Sequence, residues 1–324
     1  MRLLVAQRVD EDASDLIMRK AGAAFDIDFL ASADKESRKH LLENADVILA
    51  MNFRRDIFEE EVPLIKKAKL IQITLAGADM VPYAKLSPGI VICSNGGAYS
   101  EPIAEHAIGM MLALARSFLP LHDGLSRGEF DQSTKHKMLN GSTLGIIGFG
   151  GIGRRVAGIA RAFGMTILAI NSTGRTEREV DFSGTLKDLD HVLQESDFVL
   201  LTIALNKYTR DLIGAKELNL MKEDAVLVNV ARGDLIDEKD LYEHLKSHPH
   251  FRAGIDAWWV EPFNQPKFEI HSPFFELDNF LGSPHNSYLI KGIRRKALEA
   301  AVDNILRFAD GRELKNVQKR ENYL

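Results

Sequence analysis

The sequence predicts an α/β protein of two units, each built on a parallel β-sheet. Short β-like apolar runs alternate with helix-like stretches along the whole chain. That alternation starts afresh near Thr143, after a long helix-forming segment, and a glycine-rich turn stands at the head of the second series.

In the first unit the β-like runs are 2–7, 46–51, 70–74 and 89–93, with a polar helix-like stretch around 15–21. A segment rich in Ala, Met and Leu over 101–118 predicts a long helix leading into the second unit. There the runs are 144–147, 166–170, 198–203, 225–230 and 252–255, near-continuous in apolar residues, as strands buried on both faces are. The last helical spacing is that of Ile293, Ala297, Ala300, Ala301 and Ile305, within 290–308, and this helix is expected to return to the first unit.

Composition excludes several classes. At 324 residues, 45% hydrophobic and 27% charged, the chain can bury a sizeable core. Its longest apolar stretch, 108–115, is far below the ~20 residues that span a bilayer, so no membrane partner is expected. Net charge is -5 and the basic clusters are short and mixed with acids, which argues against a nucleic-acid partner. The single cysteine, Cys93, cannot form an internal disulfide, and the expected location is cytoplasmic.

The run 144–147 leads directly into Gly148-Phe149-Gly150-Gly151-Ile152-Gly153 and then into a helix-forming stretch. Strand, glycine turn and helix in this order form the dinucleotide fingerprint. Gly148 permits the tight turn, Gly150 admits a pyrophosphate, and Gly153 lets helix and strand pack closely. The second strand of such a unit ends in an acid when NAD is the cofactor, because a carboxylate there accepts the ribose hydroxyls. Here Asn171 holds that place, followed by Ser172, Thr173 and Arg175, which removes repulsion and supplies donors for a 2'-phosphate. NADP is therefore expected over NAD.

Three further segments sit just past apolar runs, where ligands gather at the carboxyl ends of parallel strands. They are Asn229-Val230-Ala231-Arg232-Gly233, Asp256-Ala257-Trp258-Trp259-Val260-Glu261-Pro262 and Ser283-Pro284-His285-Asn286. Arg232 suits a substrate carboxylate and keto oxygen, which call for a permanent, forked cation. His285 can give a proton to that oxygen as hydride arrives at the carbon, and Glu261 would stabilise the charged form of His285 and hold its ring. This predicts reduction of a 2-keto acid, and no metal is assigned.

The ordered set of glycine loop, Asn-x-Ala-Arg-Gly, Asp-x-x-x-x-Glu-Pro and Ser-Pro-His resembles that of the D-isomer-specific 2-hydroxyacid dehydrogenases, over nearly the whole chain. The resemblance implies two Rossmann-like domains with a cleft between them. One is a flavodoxin-like substrate domain of residues 1–97 and 287–324, the other an NAD(P)-binding domain of residues 98–286. It further implies that Leu75, Ala76 and Gly77, within Leu75-Ala76-Gly77-Ala78-Asp79, bind the substrate carboxylate through backbone amides. Asn95 and Ala104-Glu105-His106 also match, Asp256 matches the family aspartate near the nicotinamide carboxamide, and Ala204 and Ala231 fall among the cofactor contacts. Members of the family are typically homodimers joined through the cofactor domain, which assigns 101–131 to the interface.

Departures bear on the substrate. Formate dehydrogenases resemble the family but carry Gln where Glu261 stands. Ala204 replaces a common Pro, Trp258-Trp259 replaces Val-Phe, and the stretch between Glu261 and His285 is long and aromatic, with Phe263, Phe268, Phe274 and Phe275. Glyoxylate or hydroxypyruvate is the first expectation for the substrate. A phosphoglycerate dehydrogenase-like enzyme, using Arg54 and Arg55 on a phosphate, is the alternative. A non-enzymatic scaffold resembling C-terminal binding protein is a second, disfavoured because only 315–324 forms a polar terminus. A phosphite-oxidising relative would carry a lysine where Ala76 stands.

Overall fold

Valine, isoleucine and leucine dominate the short runs because a strand covered on both faces has no polar side. In the computed structural model, which describes residues 1–263 and 265–324, these runs form two sheets in two units. One unit is Met1–Tyr99 with Ile290–Leu324, the other Ser100–Leu289.

The first unit carries β1 (Arg2–Val5), β2 (Asp26–Phe29), β3 (Val47–Ala50), β4 (Leu70–Ile73) and β5 (Val91–Cys93), ordered β2-β1-β3-β4-β5 with every ladder parallel. This is the flavodoxin-like order. Alternate residues feed opposite cores. Leu4, Ile48, Ile71 and Ile92 pack with Leu42 and Val62 on one face, whereas Leu3, Val47, Leu49 and Leu70 meet the C-terminal helix Ile293–Ala309 through Leu298, Ala301, Val302 and Ile305 on the other. That helix does return to the first unit. Cys93 is buried beneath it, and burial pushes its thiol up to about 11.

The second unit contains β6 (Thr143–Ile147), β7 (Thr166–Ile170), β8 (Phe182–Gly184), β9 (Phe198–Leu201), β10 (Val226–Asn229), β11 (Arg252–Ile255) and β12 (Phe280–Gly282). Their order, β12-β11-β10-β9-β6-β7-β8, is all parallel and reverses direction between β6 and β9, the switch point where doubly wound sheets open a crevice.

Two features differ from the sequence-based expectation. Strands β2, β8 and β12 were not anticipated; they are short edge or near-edge strands, and β2 alternates acids with apolar residues. The helix expected over 101–118 ends at Ala115, and a second helix runs over Phe118–Ser126 after Ser117, whose φ is 51°. Pro120 explains the break, since a continuous helix would press its ring against the carbonyl of residue 116. In the second helix Pro120 sits in the first turn, where an amide proton has no helical acceptor to lose. Among the described residues no helix is long and apolar enough to cross a membrane.

Candidate active site

The glycine turn follows β6. Gly148 has φ +108°, and a Cβ there would lie 2.4 Å from the Ile203 amide nitrogen, so glycine is required both by conformation and by space. The Thr202 hydroxyl, just past β9, donates to the Gly148 carbonyl at 2.6 Å and locks the turn across the switch point. A Cβ on Gly153 would strike the Gly148 carbonyl at 2.6 Å, which is the close helix-strand packing the fingerprint calls for. A Cβ built on Gly150 would meet nothing within 4 Å, and this residue caps the helix Gly151–Ala162 without a side chain. The first-turn amides, including those of Gly151, Ile152 and Gly153, are thus presented to an anion with room for it to approach. These residues fit a dinucleotide pyrophosphate.

Beyond β7, Asn171 folds the next loop around itself. Its Oδ1 accepts from the amides of Thr173 and Gly174, both at 2.8 Å, and from the Thr173 hydroxyl at 2.9 Å, while its Nδ2 donates to the Arg175 carbonyl at 2.9 Å. Ser172, Thr173 and Arg175 stay exposed. Ala204 is likewise exposed, past β9, in a loop tied by the Thr209 hydroxyl donating to its carbonyl at 2.8 Å.

After β10 the buried Asn229 side chain accepts from the Ala231 amide at 3.0 Å and donates to the Arg232 carbonyl at 2.7 Å, shaping the turn that presents Arg232. The Arg232 guanidinium donates to the Ala231 carbonyl at 2.7 Å. A Cβ on Gly233 would lie 2.4 Å from the Trp258 carbonyl carbon, so this glycine lets the arginine loop touch the loop that follows β11.

Past β11, Asp256 is fully buried and accepts from the Ser283 hydroxyl at 2.6 Å and from the amides of Asn286 and Ser287 at 3.2 and 3.4 Å. Ser283 also meets His106 Nε2 at 3.0 Å, which ties the helix Ser100–Ala115 into the same network. Asp256 therefore braces the loop that carries His285. The buried Glu261 accepts from the Trp258 amide and from His285 Nδ1, both at 2.7 Å through Oε1. A carboxylate can only accept, so the proton sits on Nδ1. Nε2 has no hydrogen-bond partner among the described residues. His285 is held at φ 49°, a strained conformation for a residue with a side chain, with its amide bonded to the Asp256 carbonyl at 2.8 Å.

A family model for the NAD binding domain of D-isomer specific 2-hydroxyacid dehydrogenases matches residues 108–287. The chain belongs to this family. It is 35% identical to a hydroxypyruvate reductase of Thermotoga maritima, over 88% of this chain and 90% of that one. A D-3-phosphoglycerate dehydrogenase of Methanocaldococcus jannaschii is 32% identical over 99% of this chain and 60% of its own length. Among solved structures, a glyoxylate reductase of Paecilomyes thermophila matches with a TM-score of 0.82 at 26% identity over 99% of each chain.

As a 2-hydroxyacid dehydrogenase, the chain is an oxidoreductase that uses a nicotinamide dinucleotide on 2-keto or 2-hydroxy acids. In the unit that holds none of the glycine turn, the dehydrogenase keeps the Leu75-Ala76-Gly77 loop at the end of β4. Asn95 pins that loop, its Nδ2 donating to the Thr74 carbonyl at 3.0 Å and the Ala297 carbonyl at 2.8 Å. The Tyr99 hydroxyl donates to the same Thr74 carbonyl at 3.0 Å. A cavity of about 390 Å³ in this unit, beside Gln7, Arg8 and Asp10, contains none of the motif residues.

Sequence reasoning gave no role to Asn229 or Ser283, though both lay inside the quoted motifs. Their signal is position: a hydrogen-bonding side chain at a strand end, next to a residue that must be aimed. Trp258 and Trp259 are anchored through their indole nitrogens to the carbonyls of Ser283 at 2.8 Å and Ile236 at 2.7 Å.

Proposed function

We propose that the enzyme reduces a small 2-keto acid to the D-2-hydroxy acid, with glyoxylate and hydroxypyruvate as the reference substrates and NADPH preferred to NADH. The observation that carries this reading is the pairing of His285 with the buried Glu261, which leaves Nε2 as the one ring nitrogen free to exchange a proton with substrate. Arg232 grips the substrate carboxylate and polarises the keto oxygen. When bound, the nicotinamide supplies the hydride to the keto carbon. His285, which carries a second proton on Nε2 before the step, gives that proton to the oxygen to complete the hydroxyl and returns to the neutral ring, and takes it back in the oxidation direction. Glu261 holds the imidazole ring through Nδ1 and favours the nitrogen orientation that the transfer needs.

Leu75, Ala76 and Gly77 serve the substrate carboxylate through their amides. The Gly148–Gly153 turn receives the pyrophosphate, Ala204 and Ala231 line the nicotinamide end, which the fully buried Asp256 serves by bracing the loop that carries His285, and Asn171, Ser172, Thr173 and Arg175 take the 2'-phosphate. A homodimer through the second unit is part of the same reading. Phe118, Leu119, Leu125 and Phe130, all exposed, supply an apolar surface for it within 101–131.

Oxidation of NADPH and NADH followed at 340 nm against glyoxylate, hydroxypyruvate, pyruvate and phosphohydroxypyruvate tests the reading, with Arg232→Ala as control. Turnover that disappears in the control supports it. Tight cofactor binding with no turnover of any keto acid would overturn it.

A further inference from the structure

Glyoxylate has a hydrogen, and hydroxypyruvate a hydroxymethyl group, where other 2-keto acids carry a side chain. The cavity that contains the acid-base pair fits neither well. It measures about 390 Å³, lies wholly within the second unit, and has Glu261, Ser283 and His285 as the polar side chains among its described lining residues. The rest of its described lining is aromatic, proline or, at Gly282, glycine. Trp258, 6% exposed, forms the floor, with Phe275 stacked on it at 5.7 Å between ring centroids and Phe268 edge-on at 5.2 Å. Phe263 stands edge-on to the His285 ring at 5.3 Å.

Two details show that this space is built by the sequence. A Cβ on Gly282 would lie 2.8 Å from the Trp258 ring and 3.0 Å from Phe275, so a residue without a side chain is what lets the two rings stack there. Phe268 and Phe275 remain 45% and 62% exposed although large apolar side chains gain from burial. A bound apolar group would cover them. No Lys or Arg is among the described lining residues, so a phosphate or second carboxylate on the substrate would enter beside the Glu261 carboxylate with no cation to meet it.

From this cavity we infer that the enzyme's best substrates are 2-keto acids with an apolar side chain, branched aliphatic or aromatic, and that Trp258, Phe268 and Phe275 determine this specificity. The inference rests on the reading of His285 as proton donor given above. The keto oxygen is placed at His285, and the side chain extends along the aromatic wall. A hydroxymethyl group extended along the Trp258, Phe268 and Phe275 rings would lose its water against a wall that offers it no hydrogen bond. Each well-packed methylene in an apolar pocket is worth about 10- to 200-fold in specificity.

The test is kcat/KM for pyruvate, hydroxypyruvate, phosphohydroxypyruvate, 4-methyl-2-oxopentanoate and phenylpyruvate with the wild-type enzyme and with Phe268→Ala and Phe275→Ala. For the wild type, 4-methyl-2-oxopentanoate or phenylpyruvate is expected to exceed pyruvate about tenfold or more, with phosphohydroxypyruvate at the bottom. Each substitution should lower the ratio of the apolar substrate to pyruvate severalfold. That ratio is measured on one enzyme preparation, so a loss of folded protein cannot move it. Turnover of pyruvate or hydroxypyruvate without any gain from an apolar side chain, or an unchanged ratio in both variants, would overturn the inference while leaving the reaction class intact. Silence with every keto acid would overturn both.

Discussion

The loops after β10, β11 and β12 and the loop after β7 stand at the carboxyl ends of one sheet, yet they are held in opposite ways. In the first group several of the constraints come from another strand's loop. Gly233 abuts Trp258, His285 meets Glu261, and Asp256 gathers Ser283, Asn286 and Ser287. In the loop after β7, Asn171 binds its own neighbours, and the segment around it, residues 171–175, is tied outward by the Asn171 amide to the Gly184 carbonyl at 3.0 Å and by the Ser183 hydroxyl to the Gly174 carbonyl at 3.1 Å. Proton transfer tolerates little misplacement, so the residues assigned to it are fixed from several sides. Choice of cofactor needs only a surface of suitable charge, and a self-contained loop can supply it without touching the core.

The largest effect should come from breaking the cross-braced side. His285→Ala removes the proposed proton donor and is expected to lower kcat/KM by about 10²- to 10⁴-fold. Glu261→Gln keeps an acceptor for the Trp258 amide but loses the charge opposite His285. A charge-assisted hydrogen bond is worth about 1.5–3 kcal/mol, so a smaller loss, about 10- to 100-fold, is expected. Steady-state kinetics with saturating cofactor would decide it. If Glu261→Gln proved as active as the wild type, the idea that this bond aims the ring would fail.

The glycine turn sharpens the comparison because it contains both kinds of constraint within three residues. Gly148→Ala should destabilise the unit by about 1–3 kcal/mol, since the added Cβ meets the Ile203 backbone and the positive φ is strained. Gly150→Ala meets nothing within 4 Å, so it should melt like the wild type and weaken only dinucleotide binding. Thermal melts paired with cofactor titrations read the two separately. Equal loss of stability in both variants would contradict the division.

The same contrast explains what could be read in the sequence. Central strands such as β6, β9 and β10 were legible because burial on both faces imposes an unbroken apolar run. Edge strands β2 and β8 were not, because a three- or four-residue strand with one neighbour needs no such run. Arg232, Glu261 and His285 were legible as candidates because their chemistry is rare at strand ends. Ser283 and His106 were not, because their part in bracing Asp256 depends on strands and helices that meet only after folding. The break at Ser117 had a local cause in Pro120, three residues downstream, which an apolar helix-forming run concealed.

The smallest effect should come from the self-contained loop. If the guanidinium of Arg175 meets a 2'-phosphate, it does so from an exposed position, where a charge pair is worth about 1 kcal/mol or less after solvent screening. Arg175→Ala should then lower the NADPH-to-NADH ratio of kcat/KM by about 2- to 5-fold, with the NADH value unchanged. Asn171→Asp should move the ratio the same way for a different reason. It retains an oxygen for the Thr173 and Gly174 amides but sets a carboxylate where a phosphate would lie, and it gives up the donor to the Arg175 carbonyl. Because the Asn171 side chain bonds only to residues 173–175 of its own loop and Arg175 is exposed, both variants should melt at the wild-type temperature. A ratio that stayed fixed in both would assign cofactor choice elsewhere, and a large fall in Tm would mean that the loop is structural after all.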